Sequence, residues 1–275
     1  MDAPGARPAP AQDPSSPAGA AAARVRLGHL WVDAVTSEDA LERIEGLVEA
    51  GRGGSVFTPN IDHVVTAEDD PAFRAAYQAA SLVLADGQPL LWAARRGGAP
   101  LPEKVSGSDL VWPLLERAAR RRWRVYLLGG APGVVEDAAE RFRRELGLEI
   151  AGVDCPQVAL DPIPGGDDAV VERVRRAAPQ LLLVALGAPK QERFIHRNAG
   201  RLQPAVSLGI GAALDFITGR LQRAPRWMSW AGLEWLHRMA QDPRRLARRY
   251  LVKDPRFALV VARTLRLPRA ERVRE

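Results

Sequence analysis

Thr58-Pro59-Asn60 and Asp86-Gly87 each stand where an apolar, strand-like run gives way to polar sequence. Ser55-Val56-Phe57 leads into the first, and Leu82-Val83-Leu84-Ala85 into the second. In an open parallel sheet the ligand crevice lies outside the carboxyl ends of the strands. These turns would therefore bring a hydroxyl, a carboxamide and a carboxylate to one rim. Asp86 directly follows four apolar residues, and a carboxylate at so poorly solvated an edge can serve as a general base. Each turn also has a plainer reading, because Pro and Asn end strands and Asp-Gly is a common turn.

Three further segments have the same strand-to-helix character. Leu127-Leu128-Gly129-Gly130-Ala131-Pro132-Gly133 reads as a strand, a glycine turn and a helix start. Glycines there allow close approach of a ligand to the backbone, or equally tight packing of the helix on the sheet. Gly187-Ala188-Pro189-Lys190-Gln191-Glu192 puts Pro in a first helical turn and crowds three polar side chains at a strand's carboxyl end; a solvated first turn is the alternative. Gly209-Ile210-Gly211 begins like a dinucleotide fingerprint, but Leu214 stands where the third glycine belongs and Asp215 follows, so a Rossmann dinucleotide site is rejected. His63, His196 and His237 lack metal-ligand spacing and read as structural, as does the single cysteine, Cys155.

The elements that must hold these residues alternate from about residue 25 to 218. The pattern predicts strands over Val25–Leu27, Leu30–Val32, Ser55–Thr58, Leu82–Ala85, Val125–Leu128, Ile150–Val153, Leu181–Ala185 and Val206–Ile210. Amphipathic helices are predicted from Thr36-Ser37 to Val48, over Asp109–Arg122 and over Val134–Leu146, and residues 159–168 read as an exposed loop. Continuous apolar strands separated by helices imply an α/β, Rossmann-like, mostly parallel sheet with helices on both faces. Residues 1–23 are Ala/Pro/Gly/Ser-rich and read as a disordered extension without the pattern of a signal peptide, residues 24–219 as the core, and 220–275 as a basic, tryptophan-bearing helical appendage.

The chain has 275 residues and a formal charge of +6. Residues 220–275 hold 15 Lys+Arg against 5 Asp+Glu, so the rest of the chain is slightly acidic. A neutral body with a basic tail suggests a polyanionic partner. Arg238, Arg244, Arg245, Arg248 and Arg249 stand near Trp235 and Tyr250. This pattern suits phosphate capture at a membrane interface, or else a solvated helix face. No run of apolar residues reaches the length of a membrane span.

Taken in order, these motifs resemble the WecG/TagA/CpsF glycosyltransferases. The ordered matches are Thr58-Pro59-Asn60; Asp86-Gly87; Pro102 to Asp109; Val125 to Gly129; Val184 to Glu192; Gly209 to Asp215; Gly219 with Arg223-Ala224-Pro225; and Gly232 to Leu236 with Arg238. The resemblance covers about residues 25–260. It implies inverting, metal-independent transfer of a sugar, in the teichoic acid branch N-acetylmannosamine, from a UDP-sugar donor to undecaprenyl-diphosphate-linked N-acetylglucosamine, with no cofactor. It places catalysis on Asp86 and Thr58. It places substrate contacts on Asn60, Gly107, Asp109, Gly129, Gly130, Lys190, Gln191, Glu192, Gly209, Asp215 and Arg223, with Arg238, Arg245 and Arg248 of the appendage completing the site at an anionic membrane surface. A cytoplasmic enzyme held peripherally on the inner face of the plasma membrane, without nucleic acid, is the expectation; the sequence does not decide between a monomer and a homo-oligomer. Two stretches depart from the family pattern, Asp154-Cys155-Pro156-Gln157 and Gln88-Pro89-Leu90. The alternatives are another donor sugar on the same fold, or a non-catalytic α/β protein that binds nucleotides or anionic surfaces.

Overall fold

The computed structural model describes residues 23–222, 224, 225, 228, 234–241, 251 and 253–274, with the backbone alone at Glu234 and Arg238. Its centre is a six-stranded, wholly parallel sheet of β3 (Gly54–Phe57), β4 (Leu82–Val83), β5 (Val125–Gly129), β6 (Ile150–Asp154), β7 (Leu181–Ala185) and β8 (Val206–Gly209). The spatial order is β4-β3-β8-β7-β5-β6. The expected α/β architecture is thus observed.

The continuous apolar strands follow from burial on both faces. Along β7, Leu181, Leu183 and Ala185 enter one core, while Leu182 and Val184 enter the other. The first core is closed by α1 (Ser37–Glu49), α5 (Gly107–Arg120), α6 (Val134–Leu146) and α10 (Ala213–Ile217), through residues such as Ile44, Leu114, Phe142 and Leu214. The second is closed by α2 (Ile61–Asp69), α3 (Pro71–Gln78), α4 (Gln88–Arg96), α7 (Asp168–Ala177) and α8 (Lys190–Arg197), through Val64, Phe73, Leu90, Val171 and Phe194. Connections running towards β6 lay α5 and α6 on one face. Those running towards β4 lay α2, α3, α7 and α8 on the other, as right-handed crossovers require.

Local signals set the element ends. Thr36 caps α1 in a reciprocal box with Asp39, and Ser106 Oγ accepts from Asp109 N, starting α5 two residues before the predicted helix. The predicted strands Val25–Leu27 and Leu30–Val32 do form, but outside the main sheet. Only Gly28-His29 separates them, too short for a parallel crossover. β1 (Arg24–Leu27) and β2 (Leu30–Asp33) therefore pair antiparallel, and β9 (Val273–Arg274) adds to β1. The appendage expected to be helical over 220–275 thus also holds a short strand. This small sheet is fastened to the edge of the large one, because Val83 N donates to Asp33 Oδ2 at 2.7 Å.

The end of the chain also lies against the core. The helix Arg256–Leu265 packs on α2 and β1, with Val260 buried and Thr264 Oγ1 accepting from Gly28 N at 3.0 Å. Of the extension predicted to be disordered over residues 1–23, residues 1–22 lie outside the described residues. Among the described residues no helix is long and apolar enough to cross a membrane.

Candidate active site

The carboxyl ends of β3 and β4 and the segment leading into α5 are laced together by backbone hydrogen bonds. Leu84 N donates to Phe57 O at 2.8 Å, Asp86 N to Pro59 O at 2.9 Å, and Val105 N to Ala85 O at 2.8 Å. These bonds hold half-buried Asp86 on the rim beside the Thr58–Asn60 turn. The chain then turns through Gly87, whose φ of 118° is closed to side-chain-bearing residues, into α4. Gly107 sits where a Cβ would come 3.2 Å from Thr58 Oγ1 and 3.6 Å from Ile210 Cα. The absent side chain lets the N-terminus of α5 close directly on the ends of β3 and β8.

Asn60 ends β3 and caps α2. Its Oδ1 accepts from Asp62 N at 3.0 Å and lies 2.8 Å from His63 Nδ1. Since Oδ1 is an acceptor in the first contact, Nδ1 is the donor in the second. The same nitrogen cannot also accept from Asn60 N, which approaches at 3.3 Å. The ring's other nitrogen, Nε2, turns to Glu192 Oε1 at 3.5 Å. Glu192 Oε1 also accepts from Gln191 Nε2 at 2.8 Å, and Gln191 Oε1 accepts from Gly211 N at 3.1 Å. A buried polar chain thus joins the loops after β3, β7 and β8. Gly209 belongs to it by absence, because a Cβ there would stand 3.0 Å from Gln191 Nε2.

Tyr77 lies beneath this chain, its ring against Phe57 and Phe73. Burial, then the negative charges of Glu192, Asp86 and Asp62, push its phenol well above the ordinary tyrosine range, so it stays protonated. Tyr77 Oη and Glu192 Oε2 are both buried and have no hydrogen-bond partner among the described residues. Asp62, on the first turn of α2, pairs with Lys253 Nζ at 2.6 Å.

Thr58, Asn60, Asp86, Gly107, Gln191, Glu192 and Gly209 therefore meet in one region. Gln191 and Glu192 are buried, at 4% and 1% exposure, and act there as ties between loops. Lys190 opens α8 at the edge of the same region, half-buried. Asp109 is on the first turn of α5, ion-paired to Lys104 at 2.9 Å. Gly129 and Gly130 end β5, on the far side of β7 from β8. A Cβ on Gly129 would lie 2.8 Å from the backbone of Ala185, so close strand packing accounts for that glycine. Asp215 is half-exposed in α10. Arg238 lies on the helix Glu234–Gln241, and Arg223, Arg245 and Arg248 fall outside the described residues. Among the described residues no cluster of three or more His, Cys, Asp or Glu could hold a metal. His63 and Tyr77 were missed as site residues by sequence reasoning. The Asn60-x-x-His63 capping interval is the sequence signal that would have found the first.

A parallel sheet with a carboxylate, hydroxyl and carboxamide gathered at its carboxyl edge is the architecture of an α/β enzyme whose ligand crevice lies outside the strand ends. The profile of the Glycosyl transferase WecG/TagA/CpsF family matches residues 25–271, and the chain belongs to that family. Its sequence is 29% identical over 215 residues to the N-acetylglucosaminyldiphosphoundecaprenol N-acetyl-beta-D-mannosaminyltransferase of Bacillus spizizenii (strain ATCC 23059 / NRRL B-14472 / W23), covering 78% of this chain and 80% of the relative. The protein is a glycosyltransferase.

Proposed function

We propose that the enzyme transfers N-acetylmannosamine from UDP to a polyprenyl-diphosphate-linked N-acetylglucosamine, with inversion and without a metal. The acceptor hydroxyl oxygen attacks the anomeric carbon, the bond from that carbon to the diphosphate oxygen breaks, Asp86 takes the hydroxyl proton, and UDP leaves. Support for the donor and acceptor comes from the activity in the relative's name. The observation that carries the base assignment is Asp86 itself, pinned by Pro59 O to the rim that Thr58 and Asn60 share. Thr58 and Asn60 then supply a hydroxyl and an amide to orient the sugars. Charge growing on the departing diphosphate requires cationic partners, and guanidinium groups meet phosphate bidentately. Arg223, Arg238, Arg245 and Arg248 of the basic C-terminal segment are assigned that role. The same segment would hold the enzyme on the anionic inner face of the membrane, where a lipid-linked acceptor resides.

A panel of UDP-sugars offered with a lipid-diphosphate N-acetylglucosamine acceptor, read by product mass, tests the assignment. Product with UDP-N-acetylmannosamine is the expected result; product only with a different donor would replace the sugar but keep the mechanism. Asp86→Asn is expected to retain the fold and lose roughly 10²-fold or more in kcat, the scale of a lost general base. A wild-type rate in that variant would remove Asp86 from the role. Activity that survives EDTA is the expected result for metal independence, and a strict divalent-ion requirement would end it.

A further inference from the structure

A groove of about 470 Å³ runs along α4 and is lined by Gln88, Leu91, Trp92 and Arg95 on the helix and by Leu101 and Pro102 on the loop that follows. The helix residues are spaced i, i+3, i+4 and i+7, so they share one face. The opposite face, with Leu90, Ala93 and Ala94, is buried in the core. Trp92 stays 49% exposed, an indole left at the surface beside Leu91. Arg95 is exposed and has no ion-pair partner among the described residues. The acidic side chain nearest in sequence on the loop, Glu103, turns away to accept from Ser37 N.

Both walls of the groove converge on the carboxylate-bearing turn. α4 begins two residues after Asp86, and the loop wall ends at Val105, whose N–H donates to Ala85 O. From Gln88 to Arg95 the helix advances on the order of 10 Å, the length of one sugar ring and the phosphate beyond it. Along that distance the groove offers an amide, then an aromatic face, then a guanidinium. The C–H face of a pyranose stacks on the negative face of an aromatic ring, and a diphosphate suits a planar guanidinium.

We propose that this groove is the acceptor subsite. The sugar of the lipid-diphosphate acceptor lies on Trp92 with its hydroxyl towards Asp86, and the diphosphate pairs with Arg95. This assignment rests on the acceptor reading above. It makes Trp92 and Arg95 binding residues for the acceptor headgroup, with the lipid chain leaving the groove beyond Arg95.

The test is steady-state kinetics of Trp92→Ala and Arg95→Gln with two acceptors, N-acetylglucosamine linked by diphosphate to a long polyprenyl chain and to a short alkyl chain. Both side chains are exposed, and unchanged melting temperatures would verify that the variants fold. Each variant is expected to raise KM for both acceptors roughly tenfold and leave KM for the UDP-sugar unchanged, as befits one lost stacking or phosphate contact. With an acceptor carrying a single phosphate, the Arg95→Gln effect should shrink towards the wild-type value. An unaltered acceptor KM, an equal rise in donor KM, or a Trp92→Ala effect confined to the long-chain acceptor would each overturn the subsite. If the wild-type enzyme transfers to neither acceptor, the acceptor reading itself has failed; normal wild-type transfer with unaffected variants discards the groove alone.

Discussion

At the scale of single residues, the chemistry-bearing side chains fall into those set on the rim of the sheet and those that tie its loops together. Thr58, Asn60 and Asp86 were legible in the sequence because each follows an apolar strand, and the ends of parallel strands are where ligands bind. His63 was not legible in the same way. Its partner Glu192 is on a different element, and only folding brings Nε2 to 3.5 Å from Oε1. The ring donates from Nδ1 to Asn60 Oδ1, which fixes which way round that carboxamide sits. An Asn side chain can place an amide N–H near the position of Nδ1, whereas Gln places it nearer Nε2. His63→Asn is therefore expected to retain more activity than His63→Gln, each falling below wild type, with Gln roughly tenfold lower in kcat/KM. Kinetics alongside thermal melts check this. Equal activity of the two variants, or losses that follow melting temperature alone, would assign His63 to packing.

At the scale of elements, periodicity predicted α6 at its observed bounds and α5 to within two residues. It did not tell which strands pair. The β1–β2 hairpin read like two more strands of the alternation, and only the shortness of Gly28-His29 betrays it. The glycine turn after β5 was ambiguous between ligand approach and packing, and the 2.8 Å that would separate a Gly129 Cβ from Ala185 decides for packing. Gly129→Ala should thus cost about 2–4 kcal/mol, combining a forbidden φ of 94° with backbone overlap. Gly133→Ala, at φ 82° with nothing near its Cβ, should cost only the strain of the left-handed backbone, about 1–2 kcal/mol. Denaturant melts of the two variants compare them directly. α7 and α8 are joined by Asp167, which accepts from Arg197 Nε at 2.6 Å and Asn198 Nδ2 at 2.7 Å. Burial raises this carboxyl's pKa, but the Arg197 and Asn198 hydrogen bonds and the arginine charges outweigh it and hold it below the usual carboxylate range. A depressed folded-state pKa means the tie contributes fully above the unfolded value of about 4 and is lost as pH falls through the folded one. The stability advantage of wild type over Asp167→Asn should accordingly be largest at neutral pH and vanish in strong acid. A constant difference across pH would remove the charge from the explanation.

At the scale of the whole molecule, the basic tail includes one stretch, residues 253–274, whose partners the structure describes. Charge counting along the sequence marked residues 220–275 as one appendage, because composition cannot show which arginines have acidic partners. The structure supplies partners for the last stretch. Arg256 grips Asp69 through both terminal nitrogens at 2.6 and 3.0 Å, Arg263 meets Glu68, and Arg272 donates to Gly97 O at 2.8 Å. Val260 is buried against the second core, with Phe257 and Val261 packed beside it. Burying one such side chain stabilises by about 1.5–3 kcal/mol, so removing residues 253–275 should lower the melting temperature by roughly 5 °C or more. Loss of activity in that truncation would then report lost stability as much as a lost ligand contact. Arg245→Gln with Arg248→Gln separates the two effects. This double variant is expected to melt like wild type while binding anionic vesicles more weakly, since each basic residue near such a surface contributes about 1 kcal/mol. Sedimentation with vesicles of graded anionic lipid content, at low and high salt, measures the difference. If the truncation melts normally, the contacts of residues 253–274 do not stabilise the core; if the double variant binds vesicles as wild type does, these two arginines are not what holds the enzyme to a membrane.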